Sequence, residues 1–125
     1  MATRTISGGP IPGVVATFAP VSTWTDSAVG DLVKQSTAAN YNVAECADSN
    51  VPLGIVRQVS PDGRTLSVEV FTKGAIARLP YTGTPSLGQQ IQASAATTVK
   101  GVASGGAGLI VAKDIESGTV DALFA

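Results

Sequence analysis

The sequence predicts an all-β protein: a small β-barrel-like or β-sandwich domain with two pseudo-repeated strand units and an extended N-terminal arm. Three observations carry this prediction. Short apolar or β-branched runs alternate with turn residues along most of the chain. No window of about 11 residues keeps an unbroken stripe at the helical period. The best helical candidate, Ser86–Ala96, contains Gly88 and ends in small residues. Finally, the order of blocks in the first half of the domain recurs in the second.

The arm comes first. Residues 1–29 carry only Arg4 and Asp26 as charges and hold Pro10, Pro12, Pro20 and the pair Gly8-Gly9. Prolines at that density oppose a helix and favour an extended path. Ile11, Val14, Val15, Phe18, Val21 and Trp24 are too apolar for a solvated linker, so these six are the candidate interface residues. The covering surface is read as a neighbour's, with the chain's own domain as the alternative. Trp24 is either an interface anchor or a plug in its own barrel. On this reading, deleting residues 1–24 leaves the β domain folded.

Residues 30–125 form the domain. Strands are expected at Asp31–Lys34, Tyr41–Cys46, Gly54–Val59 and Leu66–Phe71, then at Gly74–Leu79, Gln89–Ala93, Thr98–Ala103, Leu109–Lys113 and Thr119–Phe124. Between the third and fourth, Pro61-Asp62-Gly63 is a turn: proline presets the first angle and glycine accepts a positive φ. The internal echo aligns Gly30–Val33 with Gly88–Ile91 and Tyr41–Ala47 with Thr97–Ala103. It continues with Leu53–Val56 on Gly108–Val111 and Gly63–Phe71 on Gly118–Phe124. The expectation is two similar units that pair to close one barrel-like sheet, removing open edges.

Composition restricts the chemistry. Among 125 residues there are 8 Lys and Arg, 9 Asp and Glu, no histidine and one cysteine. Without histidine, Ser-His-Asp triads, His-Glu-x-x-His sites and Cys–His pairs are ruled out. Cys46 is read as a small buried apolar residue. Asp26/Asp31, Glu45/Asp48 and Asp114/Glu116 are expected to be solvated acids beside turns or strand ends. No Walker-type phosphate loop occurs, and no helix signal follows Gly105–Gly108. No catalytic, cofactor or metal site is therefore assigned, and the chain is not read as an enzyme. The cations are scattered singly from Arg4 to Lys113, which argues against nucleic acid. The first ten residues lack the apolar core of a signal peptide, and the apolar stretch Gly106–Ala112 is far short of a bilayer span, so no membrane role is expected. Charged residues are 14% of the chain, against about 25% in an average soluble domain, which leaves surface for something other than water.

The order of the blocks resembles the small capsid decoration, or cement, proteins of tailed bacteriophages. The resemblance rests on Gly30-Asp-Leu-Val33, a strand ending in Ala47-Asp48, and Pro52-x-Gly-Ile-Val56. A hairpin strand reaching Gly74, Gly88-x-x-Ile91 and the closing Gly118–Phe124 complete it. It covers roughly residues 30–124 and leaves the arm outside. The resemblance implies a protein without catalysis or cofactor, made in the host cytoplasm and carried on the outer capsid surface of the virion. Its partners would be the major capsid protein of the expanded head and itself, as a homo-oligomer, most often a trimer. The competing readings are a β-rich tail, baseplate or fibre-associated module, or a small carbohydrate-binding domain. Against the last, Trp24, Tyr41 and Tyr81 are few and dispersed.

Overall fold

A computed structural model of the protein describes residues 10–21, 24 and 29–124. Ten strands follow one another: β1 (Val15–Pro20), β2 (Leu32–Ser36), β3 (Asn42–Glu45), β4 (Gly54–Val59) and β5 (Leu66–Val70), then β6 (Ile76–Pro80), β7 (Gln90–Ala93), β8 (Val99–Val102), β9 (Leu109–Asp114) and β10 (Thr119–Leu123). Among the described residues there is no helix, and Ser86–Ala96 contributes β7 and its flanking turns.

The first five strands form a closed barrel in the order β1-β3-β2-β4-β5. Its interior is Val33, Val43, Val56, Val59, Leu66 and Val68, with Phe18, Trp24, Leu53 and Val70 packed against them. β1 closes the barrel. It runs antiparallel to β5 from Val15↔Glu69 to Phe18↔Leu66, and parallel to β3 at Ala19↔Asn42 and Pro20↔Val43. The segment expected as a separate extended arm is thus extended, but Val15–Pro20 lies within its own chain's barrel, so residue 30 does not mark where the barrel begins. Alternation explains it: Ala16, Phe18 and Pro20 are less exposed than Val15, Thr17 and Ala19. Pro20 fits because the donors to β3 are its neighbours, Ala19 N–H to Tyr41 O at 2.8 Å and Val21 N–H to Val43 O at 3.0 Å.

The second half repeats this plan. β6-β10-β9 and β7-β8 are joined by the bridges Tyr81↔Val99 and Ile91↔Ala107, which reproduces the order β6-β8-β7-β9-β10. The hydrogen bonds match position by position. Gly30 N–H to Val56 O and Val56 N–H to Asp31 O recur as Gly88 N–H to Ile110 O and Ile110 N–H to Gln89 O. Val21 N–H to Val43 O recurs as Thr82 N–H to Val99 O, and Val70 N–H to Val14 O as Phe124 N–H to Ala75 O. Even the bulge returns, at Arg57 in β4 and Val111 in β9.

Two expectations change here. The echoed halves do not share one closed sheet; the first, with β1, closes by itself. The third and fourth echo blocks also slip by one residue, since Val56 corresponds to Ile110 and not to Val111. A one-residue slip exchanges the two faces of a strand, but with small apolar residues on both sides of β9 the sequence does not expose it.

The halves meet through the outer side of the first barrel. Val33 points into that barrel, so its neighbour Leu32 points out. Leu32, Cys46 and Ile55 complete the core of the second half, with Leu79, Ile91, Val99, Ile110, Val120 and Phe124. Phe71 stacks on Phe124 at 4.4 Å between ring centroids. Backbone bonds seal the junction: Leu32 N–H to Ala96 O at 2.7 Å, Ser49 N–H to Ala93 O at 2.8 Å and Ala93 N–H to Asn50 O at 2.7 Å.

Candidate functional site

The six apolar residues singled out in the N-terminal segment divide into two groups. Ile11, Val14, Val15 and Val21 are all at least half exposed, between 51% and 62%. Phe18 and Trp24 turn inward onto the barrel core. Trp24 therefore contacts its own barrel, where its backbone N–H donates to Gly63 O at 2.9 Å. Gly63 has φ +70, and a Cβ there would fall on the Trp24 backbone, so the glycine read as a turn residue is also needed for this close approach. Ile11 exchanges both backbone hydrogen bonds with Ile76, at 2.9 Å each, which ties the segment to the edge of β6. The N-terminal segment thus exposes four apolar residues while backbone hydrogen bonds on both flanks hold it in place.

A second feature was not anticipated. Where β2 turns into β3, Phe18, Gln35, Asn40, Tyr41, Asn42 and Leu53 help to line an open cavity of about 490 Å³. Tyr41 is 78% exposed, has φ 50 and lies 6.4 Å from Phe18, ring to ring. Asn42 is 7% exposed; its Nδ2 donates to Ala19 O at 2.9 Å, while Oδ1 has no partner among the described residues. A buried acceptor without a donor is costly. The cavity assembles residues from β1, β2, β3 and the β3–β4 loop, a juxtaposition that no local pattern announces.

The acid pairs behave differently from one another. Asp26 lies outside the described residues. Asp48 is a surface acid that pairs with Lys100 at 2.9 Å. Asp114 organises a turn, accepting from the N–H groups of Glu116 and Ser117. Asp31 departs from the solvated reading: it is 9% exposed and sits beside Glu45. Its carboxyl is held up at about 6, first by burial and then by the hydrogen bond and negative charge of Glu45. This pair was hidden because β2–β3 pairing, not sequence spacing, brings the two together. Cys46 is 3% exposed; burial pushes its thiol up to about 11, with Lys34 opposing and Glu45 adding. It stays a packed thiol at neutral pH. Among the described residues, no three of His, Cys, Asp or Glu gather into a metal-holding set, and no helix is long and apolar enough to cross a membrane.

Fold and surface together define a class: an all-β protein of two tandem five-stranded units, with exposed apolar residues on and beside its N-terminal strand. Neither the protein-family models nor the curated protein sequences yield a match to this chain.

Proposed function

We propose that the protein is a structural virion component, a decoration protein that attaches to the outside of an expanded bacteriophage head and holds neighbouring major capsid subunits together. The observation that supports this reading most is the exposure of four apolar residues, Ile11, Val14, Val15 and Val21, in one segment held by backbone pairing to the β scaffold. Its order of turn and strand blocks over residues 30–124 resembles that family. Covering one such side chain contributes ~1–1.5 kcal/mol. Four on one protomer make a modest contact, and a homo-oligomer engaging several capsid subunits at once multiplies it, with avidity gains of roughly 10²–10⁴. Binding a lattice that exists only after expansion then stabilises that lattice by mass action.

The test is a shell-binding measurement with Val14→Glu and Val15→Glu. Both side chains are more than half exposed, so the fold is retained. The expected result is loss of co-sedimentation with expanded heads at unchanged thermal stability. Wild-type binding by both variants would overturn the assignment of this surface.

A further inference from the structure

The contact between the two halves leaves an unused counterpart on each half. In the second half the receiving residue is Ala93, whose N–H and C=O bond Asn50 and Ser49. Ala93 pairs with Val99 as Gln35 pairs with Val43, so Gln35 is its equivalent. Val33 O accepts from Leu53 on the β4 side, and Gln35, two residues on, turns its backbone the same way. β4 pairs with β2 only at Leu32 and Val33, so on the side away from β3 the Gln35 backbone has no β4 partner among the described residues. Around it, Phe18 and Leu53 correspond to Leu79 and Ala107. In the second half that hollow is filled by Leu32, Cys46 and Ile55. In the first half it is the open cavity of about 490 Å³ with the unmatched Oδ1 of Asn42.

The entering side is duplicated too. Glu45 pairs with Val33 as Gly101 pairs with Ile91, which makes Ser49 equivalent to Gly105. Both hold the left-handed conformation, φ 71 and φ 81, which is uncommon for a serine. Two turns of unrelated sequence therefore share one shape. The bonds made at Gly105 and Gly106 use Gly105 O and Gly106 N–H, on the Gln92 and Gln90 side chains, leaving Gly105 N–H and Gly106 O for a partner. Ile55 is 9% exposed under the second half, whereas its equivalent Leu109 is 45% exposed.

We propose that the cavity at Gln35 and Asn42 is the docking site for a second copy of this chain, which enters with its Gly105–Gly106 turn and covers Leu109. Gly105 N–H donates to Gln35 O and Gln35 N–H to Gly106 O, repeating the bonds of the internal junction. The two patches differ, so the contact is head-to-tail and builds a ring where the rotation closes. The Asp48–Lys100 ion pair is not repeated, since Ser104 and Ala44 stand at those positions. The inference goes beyond shell attachment and does not depend on it.

The test is sedimentation velocity over a concentration series with wild type, Gln35→Pro and Leu109→Glu. Proline is tolerated at Gln35 because that N–H points away from β3, and Leu109→Glu serves alone if the proline variant fails to fold. The expected result is a self-associating wild type, with each variant weakening association by about tenfold or more and thermal unfolding unchanged. Mixing the two variants then gives heterodimers that grow no further, because each supplies the patch the other lacks. A monomeric wild type at every concentration, association untouched by both variants, or no heterodimer on mixing would each overturn the proposal. Head binding by a protein that fails this test would leave the decoration reading standing.

Discussion

Asp31 is 9% exposed beside Glu45, with its carboxyl held up at about 6, first by burial and then by Glu45. An unfolded aspartate titrates at about 3.9. Between about pH 4 and pH 6 the folded chain therefore binds more protons than the unfolded one, and stability falls as pH rises through that window. Replacing Asp31 by Asn removes the charge and retains a donor for Glu45. The expected outcome in urea unfolding is a gain on the order of 2 kcal/mol at pH 7, little change at pH 4, and a flattened slope between them. An unchanged slope would show that Asp31 is not the group responsible. The sequence made Asp31 legible as an acid next to a turn glycine, but not as a buried one. Glu45, fourteen residues away, comes beside it through the β2–β3 register, in which Glu45 pairs with Val33 and Cys46 N–H bonds Leu32 O.

The strands were mostly legible, because alternation and turn chemistry are local. All nine segments expected after residue 30 correspond to β2 through β10, and Gly54–Val59 has the same limits in both. β1 was harder to assign. Three prolines and an absence of charge fit an arm lying on a neighbour as well as a strand lying on its own barrel. What decides between them is the unpaired edges of β3 and β5, which are visible only once those strands are placed. Deletion of residues 1–24 removes β1 and Trp24 together. It is expected to reopen the barrel and abolish the cooperative thermal transition, contrary to what a detachable arm would do. A truncated protein with a sharp, native-like melt would show that the barrel closes without β1.

At the scale of the molecule, duplication organises everything else. The echo in the sequence identified two related units, but not that each folds on itself or that β1 and β6 belong to them. Their register places Val15-Ala16-Thr17-Phe18 on Ile76-Ala77-Arg78-Leu79, a likeness too short to stand out in the sequence, and equivalent hydrogen bonds at Val21 and Thr82 confirm it. The first unit fills a hollow in the second, and the same hollow in the first remains open. The apolar surface of the N-terminal segment was legible as six residues. Their division into four outward and two inward follows from barrel closure. The low charge of the chain, 14% of residues, fits contact area on both surfaces.

The central claim is the proposed attachment to an expanded capsid, and the most direct measurement is co-sedimentation of the purified protein with two tailed-phage particles: expanded heads and unexpanded precursor shells. The account predicts saturable binding to expanded heads and none to precursor shells. Equal binding to both, or to neither, would contradict it.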